Sequence, residues 1–386
     1  MTDDAIPEPD RVEGAPHPRH TTTLYGQAAA EAAFLEAYRA GRLHHGWLLT
    51  GPRGIGKATL AWRIARFLLA TPLNPPLNPS GPGLFGDPAP APAPAPAPDT
   101  LDIPADHPVA RRIQSGAEPG LFLLRRAWDE DKKRLKTVIT VDEVRRLKSF
   151  FQFSAADGGR RIAIVDAADE MNPSAANALL KVLEEPPAGA LLVLVSHQPS
   201  GLLPTIRSRC RELRLGSLGP DDLARALSAA GSATDDPAAL GALSGGSAGE
   251  AIRLANLDGL ATYGAIIHLF ATLPRLDRPA ALRLTDAVGR GNDGRFDQIL
   301  TLLDRFLARL ARTGVLGATR PEARVGEAAL FARLCPDASS ARTWAATQQS
   351  LGARARQGKA VNLDPSALLL DMILRIDQTA GQLARR

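Results

Sequence analysis

The stretch from Trp47 to Thr59 constrains the fold of this chain more than any other. It is an apolar run followed by a glycine-rich turn and then by helix-forming residues. Gly51, Gly54, Gly56 and Lys57 fit the phosphate-binding loop pattern G-x-x-x-x-G-K-[ST]. In such a loop, backbone N–H groups and the following helix N-terminus face an anion, and the lysine reaches the outer phosphates. The pattern therefore predicts a strand, a loop and a helix that together bind phosphate.

The last position of the pattern departs from this rule. It should be Ser or Thr, whose hydroxyl holds Mg²⁺, but here it is Ala58. Thr59 comes one residue late, about 100° further round a helix of 3.6 residues per turn. We therefore expect a loop that holds ATP or ADP statically and is poorly equipped to hydrolyse it.

A second strand should supply the remaining chemistry of a P-loop ATPase. The run 161–166 is apolar and ends in Asp166, where a carboxylate that holds Mg²⁺ through water belongs. The following position should be a Glu that orients the attacking water, and it is Ala167. Asp169 or Glu170 could replace that Glu only if the turn folded back. Two missing parts predict that the chain has no appreciable ATPase activity of its own.

Strands and helices alternate along the first half of the chain. The pattern predicts strands at 47–50, 120–124, 161–166 and 191–195 and helices at 27–40, 57–70, 140–151 and 174–185. After residue 214 only helical patterns remain. This order predicts an α/β domain with a mostly parallel sheet and helices on both faces, followed by all-helical segments. The predicted domains are 21–215, 216–275 (a helical lid) and 276–386 (a C-terminal helical domain).

Two stretches fall outside the pattern. Residues 1–20 are polar and unpatterned, which predicts a disordered tail. Residues 71–108 are rich in Pro and Ala, with strict alternation over 88–98, and predict an extended insertion. A docking site for a proline-recognition domain is the alternative for that insertion.

Composition narrows the class further. A net charge of +5 fits either nucleic acid nearby or an Arg-rich surface without that role. No stretch reaches 18 uninterrupted apolar residues, so we expect no membrane segment. Two cysteines, Cys210 and Cys335, are too few for a disulfide framework or a four-cysteine metal site. With no secretory signal, the chain is predicted to be cytoplasmic.

Two further sequence runs are the most specific indicators of a protein family in this chain. Residues 177–187 read Asn-Ala-Leu-Leu-Lys-Val-Leu-Glu-Glu-Pro-Pro, and the next strand leads to Ser208-Arg209-Cys210. With the phosphate loop, these runs resemble the AAA+ clamp-loader ATPases of bacterial DNA polymerase III, and within them the delta-prime family. The resemblance is dense over 45–59 and 138–215 and looser beyond, where an Asn-Leu-Asp-Pro run at 362–365 also fits.

The resemblance implies an AAA+ fold in which the C-terminal helices form a collar that closes a five-subunit ring. The partners would be the motor ATPase subunits and the delta subunit, and the ring would act on a sliding clamp and primed DNA. It implies that Arg209 is an arginine finger acting in trans on ATP held by a neighbour, although an ion pair with a local carboxylate is the simpler alternative. Ser196 falls where the family senses the γ-phosphate, or it simply caps or packs.

Two departures from the family pattern accompany these roles. The lid position that holds a nucleotide-contacting arginine in motor subunits is Gly249 here. The family's four-cysteine zinc module is also missing, because no cysteine lies between Lys57 and Cys210, so zinc is not expected.

Three functions remain open at this point. The first is a largely non-hydrolysing ring subunit that donates Arg209. The second is an active AAA+ motor subunit of the same loader, which Ala58, Ala167 and Gly249 disfavour. The third is a P-loop kinase or transferase, for which we find no acceptor-binding features.

Overall fold

The sheet at the centre of the first part of the chain is built from short, almost wholly apolar strands. A computed structural model describes residues 7–71, 98–152, 159–286, 288, 293–317 and 321–385. These residues form two compact units, divided between Leu218 and Gly219. Most of the predicted Pro/Ala insertion lies outside the described residues.

The first unit alternates strands with helices, as predicted. Its strands are β1 (Gly46–Thr50), β2 (Leu121–Leu124), β3 (Trp128–Asp129), β4 (Arg134–Leu135), β5 (Arg161–Asp166), β6 (Ala190–Val195) and β7 (Arg211–Arg214). Its helices are α1 (Ala28–Arg39), α2 (Lys57–Ala70), α3 (Pro108–Ser115), α4 (Val141–Gln152), α5 (Pro173–Glu184) and α6 (Pro204–Ser208). Short 3₁₀ turns lie at Pro18–His20, Ala168–Glu170 and Pro199–Gly201.

Five strands form one parallel sheet in the order β2-β5-β6-β1-β7, and β3 and β4 form a small antiparallel hairpin. Alternate residues of the strands point to opposite faces. Trp47 and Leu49 of β1 join a core with α1, α2 and α3, while Leu48 joins a second core with α4, α5 and α6. Among the described residues, helices therefore cover both faces of the sheet and leave the ends of its strands uncovered. Because the strands are parallel, their carboxyl ends meet at one edge of the sheet.

Several element ends are set by local chemistry that the sequence shows. Asn172 accepts a hydrogen bond from the N–H of Ala175 at 2.8 Å, and Pro173 is the first residue of α5. At the start of α4, the carboxylate of Glu143 accepts from the N–H of Thr140 at 2.7 Å and from its hydroxyl. The predicted bounds of α2 and β5 coincide with those observed.

The second unit is helical throughout its described residues. Its helices are α7 (Pro220–Ala229), α8 (Pro237–Ser244), α9 (Ala248–Asn256), α10 (Gly259–Phe270), α11 (Arg278–Asp286), α12 (Asp293–Leu316), α13 (Glu327–Leu334), α14 (Ala338–Ala360) and α15 (Pro365–Leu383). No helix among the described residues is long and apolar enough to span a membrane.

Helices of the predicted lid and the predicted C-terminal domain pack together in this unit. Tyr263 of α10 donates a hydrogen bond to the buried carboxylate of Glu327 on α13, which also pairs with Arg309 of α12 at 2.7 Å. Arg305 of α12 lies 3.2 Å from Glu250 of α9. A buried carboxylate is tolerable only when it is paired in this way.

The N-terminal residues differ from the disordered tail that their composition predicts. In the described part, 7–20, Ala15 and His17 are buried and the side chain of Asp10 is wholly buried. Their charged side chains find partners on distant parts of the unit, such as Arg125. Composition cannot foresee such pairing, because the partners are remote in sequence.

A helix that the sequence reading missed lies just after the predicted insertion. Helix α3 starts at Pro108 with His107 as its cap and ends at Gly116 in the left-handed region. Leu101, inside the predicted insertion, is buried in the core beside α2 and α3. The described end of the predicted insertion, 98–108, is therefore partly packed.

Candidate phosphate site and arginine finger

The loop between β1 and α2 has the shape that its glycines predict. Gly51, Gly54 and Gly56 have φ of 135°, 78° and 101°, a region that other residues avoid. A Cβ atom at Gly51 would lie 2.4 Å from the carbonyl oxygen of Leu215. The loop therefore needs glycine at that position for space as well as for conformation.

Lys57 is the first residue of α2 and points back into the loop. Its side chain is only 3% exposed, and its amine donates to the carbonyl oxygens of Gly51 at 2.7 Å and Pro52 at 2.5 Å. Burial lowers the pKa of Lys57 to about 8, against the opposing effect of Asp166 and Asp169. The first turn of α2 carries no acidic residue, so its N-terminus stays favourable to an anion.

Ser196 lies next to this loop across the sheet. It follows β6 directly, and its N–H donates to the carbonyl oxygen of Leu49 at 2.9 Å. Its hydroxyl is fully buried and has no hydrogen-bond partner within the described residues. An orphaned buried hydroxyl at a phosphate loop is what a phosphate oxygen would satisfy. The loop, Lys57 and Ser196 therefore fit the phosphates of ATP or ADP.

The metal side of the site fits less well. Ala58 offers no hydroxyl, and Thr59, one position on, is half-buried on α2. Asp166 is 7% exposed, and burial, reinforced by the negative charges of Asp10 and Glu170, raises its pKa to about 7. Burial therefore disfavours the charged form of Asp166, which is the form that binds a magnesium ion.

The position after Asp166, where a hydrolytic base would stand, carries no carboxylate. Ala167 is buried where the Glu would stand. Glu170 is paired with Arg126 at 2.7 Å, and Asp169 accepts the backbone N–H of His197 at 2.9 Å. Each of these carboxylates therefore already has a partner, and neither directly follows Asp166 in the sequence.

Gly249 lies in the second unit and is buried near the start of α9, whose cap is Ser247. It has no side chain with which to contact a nucleotide. Arg253, one turn further on, lies 3.4 Å from Glu250.

Arg209 lies at the opposite edge of the sheet from the phosphate loop. A Cβ atom on Gly46, the first residue of β1, would lie 3.1 Å from the carbonyl oxygen of Arg209, whereas Gly51 follows the last residue of β1. At about 3.3 Å per residue, the length of β1 separates the two by roughly 16 Å. The guanidinium, 36% exposed, pairs with Glu184 at 2.9 Å. Arg209 and the phosphate loop are therefore not parts of one site within this chain.

Cys210, next to Arg209, is half-buried, and burial raises the pKa of its thiol to about 12. Within the described residues, no group of three or more His, Cys, Asp or Glu side chains could hold a metal ion.

The structure also places residues at the site that the sequence reading did not select. Arg125 directly follows β2, and Leu124 pairs in register with Val165, so Arg125 comes level with Asp166. Asp10 binds Arg125. The position of Arg125 after a predicted strand was a usable signal, but nothing local marks Asp10.

The chain thus has a five-stranded parallel sheet with a phosphate-binding loop directly after β1, and a second unit that is helical throughout its described residues, which is the fold expected of an AAA+ protein. Residues 104–219 match the family model described as "DNA polymerase III, delta subunit".

Named relatives narrow the class. The chain is 37% identical over 218 residues to DNA polymerase III subunit delta' of Pseudomonas aeruginosa, covering 54% of this chain and 55% of that protein. It is 30% identical over 175 residues to subunit delta' of Escherichia coli, covering 45% and 43% respectively. It is also 27% identical over 303 residues to subunit tau of Salmonella typhimurium, covering 76% and 41%. The matched segment spans about half the length of these relatives. The predicted resemblance to delta-prime subunits is confirmed.

Proposed function

We propose that this chain is a clamp-loader subunit of DNA polymerase III, of the delta-prime kind. In this proposal it joins motor ATPase subunits and a delta subunit in a pentameric ring that loads a sliding clamp on primed DNA. It hydrolyses little or no ATP itself and donates Arg209 to the ATP of a neighbouring subunit. The names of the relatives support the complex, and the residues described above support the division of roles.

The separation of Arg209 from its own phosphate loop is the observation that carries the proposal. An arginine at the amino edge of the sheet cannot reach a phosphate at the carboxyl edge of the same sheet. Arg209 can stabilise transition-state charge only in a site that another molecule brings to it. Its ion pair with Glu184 is half exposed, so it contributes about 0–1 kcal/mol and does not prevent that use.

The test is ATP hydrolysis by a ring reconstituted from this chain and its partner subunits, with primed DNA and clamp. Arg209→Ala should lower ATP hydrolysis at the neighbouring subunit's site by about a thousandfold or more. The total turnover of the ring should then fall by the fraction that this site contributes. Arg209→Lys should restore only part of the rate, because an ammonium cannot replace the planar guanidinium fork.

Arg207→Ala is the matched control, since Arg207 is an exposed arginine in the last turn of α6, the short helix that Arg209 caps. It should leave the rate unchanged. Unchanged turnover and clamp loading with Arg209→Ala in a correctly assembled ring would show that the trans role is wrong.

A further inference from the structure

Gln27 is the residue at the N-terminal end of α1, but its side chain does not cap that helix. The residues preferred at such a position are Ser, Thr, Asp and Asn, whose short side chains accept a hydrogen bond from the first turn. Gln27 is nevertheless buried, and a buried carboxamide has to find hydrogen-bond partners. The partners of Gln27 lie on the phosphate loop and on the segment beside it.

The carboxamide of Gln27 makes three hydrogen bonds. Nε2 donates to the carbonyl oxygen of Ile55 at 3.2 Å and to that of Gly216 at 2.8 Å, and Oε1 accepts from the N–H of Gly216 at 3.2 Å. Both N–H bonds of the amide are therefore used on carbonyl oxygens. The reversed orientation would place the amide oxygen against those same two carbonyls, so the contacts fix the direction of the side chain.

Gly216 is a firm anchor for this side chain because its segment is joined to the sheet. It lies two residues after the end of β7, and the N–H of the intervening Leu215 donates to the carbonyl oxygen of Thr50 at 2.9 Å. The double contact with Gly216 holds the carboxamide of Gln27 in place and leaves one N–H for Ile55, which lies inside the phosphate loop. Gln27 thus ties the loop to the sheet.

The bond to Ile55 also sets the direction of a backbone N–H. The peptide bond between Ile55 and Gly56 is trans, so its C=O and its N–H point in opposite directions. Because the C=O points towards Gln27, the N–H of Gly56 points away from Gln27. Gly56 directly precedes Lys57 at the start of α2, where the backbone N–H groups of a phosphate loop face the anion.

We propose that Gln27 is a positioning residue of the phosphate loop, which holds the N–H of Gly56 in the direction in which it binds a phosphate oxygen. Without this tie the peptide between Ile55 and Gly56 can rotate, because glycine accepts both signs of φ. A rotated peptide would present its carbonyl oxygen to the phosphates and repel them. The inference rests on the proposed function only in that the loop has to bind nucleotide phosphates.

Calorimetric titration of the full chain with ATP, and separately with pyrophosphate, both without added Mg²⁺, tests this role. Gln27→Met keeps the length of the side chain but loses all three hydrogen bonds. It should weaken the binding of both ligands about tenfold, the cost of one hydrogen bond to a charged group. The two losses should be equal, because both ligands meet the loop through their phosphates.

Two variants are matched controls, and all dissociation constants are measured well below thermal unfolding, where lost stability alone does not change them. Gln298→Met removes another buried carboxamide, which donates to the carbonyl oxygen of Leu257 at 2.8 Å in the second unit. It should lower stability and leave both dissociation constants unchanged. Gly216→Ala keeps the backbone groups that contact Gln27, and its added methyl group meets nothing within 4 Å, so it should bind as the unchanged chain does.

Equal dissociation constants for Gln27→Met and the unchanged chain overturn the inference. So does a loss of the same size with Gln298→Met, or a loss confined to ATP, which would place Gln27 at the nucleoside rather than at the phosphates. The absence of binding by the unchanged chain at millimolar ligand also overturns it. That result leaves the trans role of Arg209 standing, since that role is measured in the ring.

Thermal unfolding shows whether each variant is folded. If Gln27→Met is not folded, Gln27→Asn replaces it, because the shorter side chain cannot reach Gly216 and Ile55 together. A smaller loss of affinity is then expected, and no loss counts against the inference.

Discussion

At the scale of single residues, burial moves the pKa values of two charged side chains of the candidate site towards neutrality. Lys57 and Asp166 have pKa values of about 8 and about 7, each moved from its ordinary value towards neutrality. Desolvation is the first cause for both, and it outweighs their mutual attraction. At neutral pH the site is therefore less charged than its residue types suggest.

The raised pKa of Asp166 makes stability depend on pH in a predictable direction. Between pH 4 and pH 7 the unfolded chain has released the proton of this residue while the folded chain keeps it, so Asp166 lowers stability as the pH rises. Asp166→Asn removes the effect. The free energy of unfolding that Asp166→Asn gains should grow from pH 4 to pH 7 and level off above, reaching a few kcal/mol, and the melting temperature should rise with it.

Thermal unfolding at several pH values measures this gain. Asp131→Asn, an exposed carboxylate of the β3–β4 hairpin, is the control and should give no pH-dependent gain. A gain for Asp166→Asn that is the same at pH 4.5 and pH 8 would contradict the assignment.

The sequence predicted the identity of these residues but not their state. Gly51, Gly56 and Lys57 follow from spacing alone, because the chemistry of phosphate binding fixes that spacing, and Asp166 follows from its position at the end of an apolar run. The pKa of Asp166 is raised first by burial and then by the charge of Asp10, which is 156 positions away and comes near only when residues 8–20 fold onto the unit. No local pattern contains that information.

At the scale of elements, the turn between β1 and α2 tolerates very little change. Gly51→Ala would combine an unfavourable φ with a contact of 2.4 Å to backbone, which cannot move as a side chain can. We expect a loss of more than about 3 kcal/mol, or about 8 °C in melting temperature for a domain of this size.

Gly201→Ala is the matched control, because nothing lies within 4 Å of its added methyl group and its φ is ordinary. Melting temperatures of the two variants give the comparison. Equal values would show that the turn relaxes more easily than its geometry indicates.

Element prediction succeeded where the ends are fixed locally. The cap at Asn172, the carboxylate of Glu143 and the prolines at first helical positions gave starts within a residue or two of those observed. It failed for α3 and for residues 7–20. Helix α3 is short and lies beside a proline-rich stretch, and the position of residues 7–20 depends on ion pairs between remote segments.

At the scale of the whole molecule, the missing parts of the site act together. We predict no measurable ATP turnover by the purified chain with Mg²⁺ and primed DNA, and the same result for Lys57→Ala. The reason is that Ala58, Ala167 and the raised pKa of Asp166 remove the metal ligand, the base and much of the charge. A phosphate-release assay measures the rate. Turnover that Lys57→Ala abolishes would instead favour the active motor subunit.

The parallel pairing of β1 with β7 has one more consequence. Because the two strands run the same way, the phosphate-binding loop lies at the carboxyl ends of the strands and Arg209 lies at their amino ends. In the proposed ring, subunits built in this way would associate head to tail, and each shared site would need a phosphate-binding loop from one subunit and an arginine from the next. A subunit that supplies the arginine but whose own phosphate-binding loop does not hydrolyse ATP would fit only at one end of a row of active sites. Its place in an assembly would then follow from its own polarity.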